Sequence, residues 1–146
     1  MNTTAEANIQ KQDAVQAKNR RILIIDDSPD ILECLQTILE MNDFDVLAAT
    51  GGEAALSLLS NIETLDLILL DMCMGEMSGP EFLKLFEKTQ PKLFAKVPVV
   101  FLSGMDKIPE SKAAGFIRKP LPDIDTFLES VDCFIKAGNG RLQFKH

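Results

Sequence analysis

Five side chains, taken in order, have the types that could hold an anion against a carboxylate: Asp26, Asp27, Asp71, Ser103 and Lys119. Each comes at the end of a short, mostly apolar, strand-like segment. Ile22-Leu23-Ile24-Ile25 leads into Asp26 and Asp27, Leu67-Ile68-Leu69-Leu70 into Asp71, Val97 to Leu102 into Ser103, and Phe116-Ile117-Arg118 into Lys119. Three carboxylates brought to one place repel one another unless a cation sits among them. A hard divalent ion, Mg²⁺ (or Mn²⁺), prefers oxygen ligands and keeps several waters. Lys119 would add a point charge suited to an oxyanion, and the Ser103 hydroxyl can donate to a further anionic oxygen. A carboxylate that attacks phosphorus forms an aspartyl phosphate. That chemistry asks mainly for positioning and charge neutralisation. Taken singly, an Asp pair caps a helix, a lysine is solvated and a serine closes a turn. It is the ordered set that points to a site.

The elements that must position these residues alternate along the chain. The continuous apolar runs at 22–25 and 67–70 suit strands buried on both faces of a parallel sheet. Phe44 to Ala49 reads as a second strand nearer an edge, Val97 to Leu102 as the fourth and Phe116 to Arg118 as a short fifth. Ser28-Pro29 is an N-cap followed by a favoured first helical residue. Ile31, Leu32, Leu35, Ile38 and Leu39 then recur at helical spacing to about Met41. Thr50-Gly51-Gly52-Glu53 has capping-box spacing before a helix through Leu59. A loop from Met72 to Gly79 precedes a helix from Pro80 to about Thr89, and Ile124, Phe127, Leu128, Val131 and Ile135 mark the last helix. Strands alternating with helices predict right-handed crossovers and a doubly wound five-stranded parallel sheet. Such sheets bind ligands outside the carboxyl ends of their strands, which is where the five side chains fall.

Bulk composition narrows the function classes. The 146 residues make one ordinary domain, and 46% hydrophobic content is enough for a core. Residues 1–20 read as a polar tail, 21–137 as the domain and 138–146 as a second tail. No apolar run approaches a membrane span, and the polar N-terminus has no secretory pattern. Cys34, Cys73 and Cys133 are odd in number and far apart, which fits reduced thiols in the cytoplasm. A net charge of −7 argues against a duplex nucleic-acid binder. The basic cluster Lys18 to Arg21 reads as a solvated flank.

With these residues in place, the chain resembles the receiver domain of bacterial two-component response regulators. The matching segments are RILIIDDSPD (21–30), DLILLDMCMGEMSG (66–79), VPVVFLSG (97–104) and GFIRKPL (115–121). The resemblance implies a flavodoxin-like sheet of order 2-1-3-4-5 with Asp71 as phosphoacceptor. It implies that Asp27 binds Mg²⁺ directly, Asp26 mainly through water, and the Cys73 main-chain carbonyl as a further ligand. By the same resemblance Ser103 and Lys119 bind the phosphoryl group, Phe116 is the aromatic switch position and Gly104 leaves access to the acceptor. A sensor histidine kinase, a histidine phosphotransfer protein or a small acyl phosphate would supply the phosphoryl group. The domain would then signal through a downstream protein or relay the group onward, without being an enzyme in its own right. With little chain after residue 137, a stand-alone regulator is the natural expectation.

Two positions depart from the family's pattern. Gly75 stands where the family usually has proline, four residues after the acceptor. Only 15 residues separate Ser103 from Lys119, with Pro109 among them, so the fourth helix should be truncated or loop-like. That helix belongs to the family's usual output face. A phosphorylation-independent interaction module is therefore one alternative. A haloacid-dehalogenase-type phosphatase is another, since it shares the order Asp, Ser/Thr, Lys. That family needs a second Asp two residues after its nucleophile, where this chain has Cys73.

Overall fold

A computed structural model of the protein describes residues 19–104, 111–119 and 123–138. Five strands are present: β1 (Arg21–Ile25), β2 (Asp45–Ala49), β3 (Leu67–Asp71), β4 (Val99–Ser103) and β5 (Gly115–Arg118). The helices among the described residues are α1 (Pro29–Glu40), α2 (Gly52–Leu59), α3 (Gly79–Thr89), α4 (Pro91–Lys96) and α5 (Ile124–Ala137). The strands pair in parallel in the order β2-β1-β3-β4-β5, the expected flavodoxin-like winding. β2 lies at an edge, as its weaker pattern predicts.

Strand residues alternate between two cores because successive side chains point to opposite faces. Ile22, Ile24, Leu67, Leu69, Val100 and Leu102 pack with Leu35 and Leu39 of α1 and with Phe127 and Val131 of α5. Leu23, Ile25, Ile68, Leu70 and Phe101 pack on the other face with Leu59 of α2 and Phe82 and Phe86 of α3. Every residue of β3 and β4 is buried. These two interior strands are thus held from both sides, and their carboxyl ends are rigidly placed.

Local sequence explains most element starts. Ser28 caps α1, its hydroxyl accepting from the Ile31 N–H at 3.4 Å, with Pro29 at the first turn. Ser78 caps α3 in a full capping box. Its hydroxyl accepts from the Glu81 N–H at 3.2 Å, and the Glu81 carboxylate accepts from the Ser78 N–H at 2.9 Å. The capping box expected at Thr50 is not formed. Gly51 is the N-cap of α2, without a side-chain bond, and Gly52 is buried beneath Met77. α4 was not foreshadowed by the apolar pattern. It is six residues long, with Leu93 buried and the Phe94 ring edge-on to Phe86 at 5.3 Å between centroids.

The expected flank and tails fall largely on residues 1–18 and 139–146, outside the described residues, as do Pro120 and 105–110. Arg20 is more than a solvated flank. Its guanidinium pairs with Asp132 of α5 at 2.8 Å and lies over the Phe44 ring at 4.9 Å. In the connection from β4 to β5, the described residues 104 and 111–114 are not helical.

Candidate functional site

The sheet order makes β1, β3, β4 and β5 contiguous, so their carboxyl ends form one rim. Ile25 pairs with Leu70, which brings the residues following each, Asp26 and Asp71, level across the β1–β3 seam. Ser103 pairs with Arg118, and the Lys119 N–H donates to the Ser103 carbonyl at 2.7 Å. That bond fixes where the Lys119 side chain leaves the backbone. Short apolar strands ending in register are therefore what bring residues from across the chain to one rim.

Four of the expected side chains meet there. The Lys119 ammonium donates to Asp26 Oδ2 at 3.3 Å and to Asp71 Oδ1 at 3.2 Å. Asp26, Asp27 and Asp71 each offer a carboxylate oxygen within 4.8 Å of the others. Asp26 also accepts from the Ser28 N–H at 2.9 Å, which holds its Oδ1. Asp71 accepts from the Cys73 N–H at 3.4 Å. Asp27 accepts from the Gly75 N–H at 3.1 Å. Asp26, Asp71 and Ser103 are 1%, 6% and 2% exposed, and they are the buried polar or charged residues of the described chain.

The electrostatics follow from one cation shared between two buried anions. Burial pushes the Asp71 carboxyl above its usual value, and the neighbouring Asp26 charge adds to that. The Lys119 ammonium and the Cys73 N–H oppose the shift without cancelling it. Burial alone would push Lys119 down, yet Asp26 and the bond to Asp71 hold it above its usual value. The two shifts look contradictory for a simple pair, since pairing should lower the acid. They agree once Lys119 is seen to serve two carboxylates, each of which receives part of its charge. One positive charge leaves an acidic excess at the rim. Several oxygen donors, partly buried and under-neutralised, fit a hard divalent cation such as Mg²⁺ by donor chemistry.

The remaining expected residues surround this centre. The Phe116 ring is 41% exposed on β5. Gly104 is exposed just past β4, and the nearest atom to a Cβ placed there is the Lys119 carbonyl oxygen at 3.9 Å. Packing does not require a glycine at that position. The Cys73 thiol is exposed. A cavity of about 470 Å³ opens beside Asp27, lined by Thr50, Glu53, Met74, Gly75 and Met77 among others. Sequence reasoning overlooked the Ser78 capping box, although Ser78-x-x-Glu81 is its signature. It also overlooked the Gly75 N–H, for which no sequence signal exists.

Comparison with known proteins agrees with this arrangement. The profile of the response regulator receiver domain matches residues 22–132. The transcriptional regulatory protein CpxR of Escherichia coli is 34% identical over 109 residues, covering 70% of this chain and 44% of that protein. The response regulator SaeR of Staphylococcus aureus is 37% identical over 83 residues, 57% of this chain and 34% of that protein. The chain thus spans less than half the length of these curated relatives. Among solved structures, the chemotaxis protein CheY4 of Vibrio cholerae superposes with a TM-score of 0.70 at 25% identity, covering 79% of this chain and 98% of that one. The response regulator protein TrrA of Thermotoga maritima, solved in complex with Mg²⁺ and BeF, gives 0.64 at 26% identity over 78% of this chain and 97% of that one. With a sheet of the same order and a profile match over most of its length, the chain belongs to the response regulator receiver domain family.

Proposed function

We propose that the chain is a phosphoacceptor signalling domain in which Asp71 takes a phosphoryl group with Asp26, Asp27 and the Cys73 carbonyl holding Mg²⁺ beside it. The observation that carries this reading is the Lys119 bridge, 3.3 Å to Asp26 and 3.2 Å to Asp71, set against the third carboxylate of Asp27. When bound, the metal would supply positive charge to the phosphoryl oxygens. Everything else falls to the chain's own groups.

The Asp71 carboxylate is the nucleophile. Its oxygen forms a bond to phosphorus as the bond from phosphorus to the donor's leaving atom breaks, and the leaving group carries off that electron pair. A phosphohistidine of a sensor kinase or phosphotransfer protein, or a small acyl phosphate, has the required leaving group. Lys119 donates to the carboxylate before transfer and to a phosphoryl oxygen after it. The buried Ser103 hydroxyl, next to Lys119 in the sheet, donates to another. Asp26 is held by Ser28 and Lys119, so it offers a fixed acceptor face rather than a mobile charge. Gly104 leaves the approach open. Phe116 then reports the change by turning its exposed ring inward as Ser103 shifts. Output goes through a protein partner or onward phosphotransfer.

Titration with beryllofluoride and Mg²⁺, followed by NMR, tests this directly. Saturable, Mg²⁺-dependent binding is expected for the wild type and none for Asp71→Ala, with Phe116 among the shifted resonances. A wild type that binds neither reagent would leave the interaction module standing instead. Steady turnover of a phosphomonoester would favour the phosphatase.

A further inference from the structure

The cavity beside Asp27 is charged in one sense. Glu53, in the first turn of α2, and Glu76, in the loop after β3, line it together with Asp27. Both glutamates are exposed. Among the described residues neither is in an ion pair, and no lysine or arginine lines the cavity. The buried Met74 and the half-buried Met77 supply its apolar wall. A cleft with charges of one sign beside walls of low polarity concentrates their field, and that field alters the encounter rate of charged reactants.

At the rim itself, Lys119 and a divalent cation would together balance the carboxylates of Asp26, Asp27 and Asp71. Glu53 and Glu76 then remain as uncompensated charge on the cavity side. They act on an incoming donor through charge, with no part in bond making. Free acyl phosphates are dianions at neutral pH. A phosphoryl group carried on a basic nitrogen differs, because the nitrogen takes up a proton and offsets one negative charge. We propose that Glu53 and Glu76 are specificity-determining residues that disfavour free acyl phosphates and leave Asp71 to donors whose phosphorus is bound to a basic nitrogen, as in phosphohistidine. This rests on the reading of Asp71 as the phosphoacceptor. The transfer balances in the same way for either donor. The Asp71 oxygen bonds to phosphorus as the P–O bond to a carboxylate, or the P–N bond to a protonated nitrogen, breaks, and the leaving atom keeps the electron pair.

Initial rates of Asp71 phosphorylation with Mg²⁺ present, read by intact-protein mass spectrometry on the full chain, test this. Acetyl phosphate is the dianionic donor, and phosphoramidate, a monoanion near neutral pH, is the nitrogen donor. The double variant Glu53→Gln/Glu76→Gln should react with acetyl phosphate about threefold faster at low ionic strength, and with phosphoramidate by a smaller factor. The gain should fade near about 1 M salt, where the screening length falls to about 3 Å. Glu40 closes α1 and Glu63 follows α2, so both exposed glutamates lie at the opposite end of the sheet. Glu40→Gln/Glu63→Gln removes the same charge there and should keep the wild-type ratio of the two rates. An unchanged ratio in the cavity variant, or an equal change in both variants, overturns the proposal. So does a cavity variant that binds beryllofluoride yet gains no reactivity toward acetyl phosphate. A wild type that binds no beryllofluoride overturns the underlying reading instead, and the two failures are distinct.

Discussion

Asp71 sits in an environment that penalises its ionised form. Burial and the Asp26 charge raise its carboxyl above the usual 3.8, against the pull of Lys119. The sign of the linkage follows. Below 3.8 the carboxyl is protonated in both folded and unfolded chains. As pH rises past that value, the unfolded chain releases its proton first and stability falls until the folded carboxyl ionises too. Above that point the deficit is constant. Asp71→Asn keeps the shape and removes the charge. In metal-free urea denaturation it should be more stable than the wild type at neutral pH, and the advantage should fade as pH drops below the carboxylate range. Equal stability of the two chains at every pH would show that the ionised carboxylate carries no strain here. A group poised this way is also one whose charge a bound cation would relieve.

The helix that begins at Gly79 places Asp71 from behind. Its capping box fixes the start of α3, and the Gly79 N–H donates to the Met72 carbonyl at 2.9 Å. That contact brings α3 close beneath the end of β3. A Cβ on Gly79 would lie 2.8 Å from the Asp71 carbonyl oxygen and 2.8 Å from Cε1 of the fully buried Phe101. Neither neighbour can withdraw without moving the strand end or the core. Gly79→Ala should therefore destabilise the domain by about 1–3 kcal/mol, the usual cost of overpacking, as read by urea denaturation. Wild-type stability in that variant would mean that the rim is less rigid than the packing implies. The short helix α4 has a different role. It turns the chain from α3 into β4, and its Phe94 extends the aromatic contact begun by Phe82 and Phe86.

At the scale of the whole molecule, the chain concentrates an acidic excess at the carboxyl ends of a sheet that is already complete. Net charge is −7, and three of the carboxylates meet at one rim. A ligand that binds only the folded chain stabilises it by mass action. Mg²⁺ at a hundred times its dissociation constant should contribute about 2.7 kcal/mol, or roughly 5–10 °C in Tm for a domain of this size. Sodium chloride at matched ionic strength should not reproduce the shift, and Asp27→Ala should lose most of it. An equal rise with sodium chloride would reduce the effect to general screening of a negative surface. No described helix is long and apolar enough to cross a membrane.

Much of this was legible in the sequence because the relevant physics is local. Period and hydrophobicity identify the five strands, since a strand covered on both faces must be apolar at every position, as in 22–25 and 67–70. Polar residues after such strands fall at one rim by the geometry of parallel crossovers, so Asp26, Asp27, Asp71, Ser103 and Lys119 could be named before any coordinates. α4 escaped notice because six residues between Pro91 and Lys96 hold too few turns to show a period. The cap of α2 falls on Gly51 and not Thr50, and no side chain bonds there, so capping-box spacing alone did not set that helix start. Tertiary structure alone decided the rest: that Lys119 bridges two carboxylates, that burial and the Asp26 charge raise Asp71 despite Lys119, and that the Gly75 amide reaches Asp27. Each depends on distances between segments far apart in sequence, which follow from how the loops pack above the sheet and are not encoded in either segment by itself.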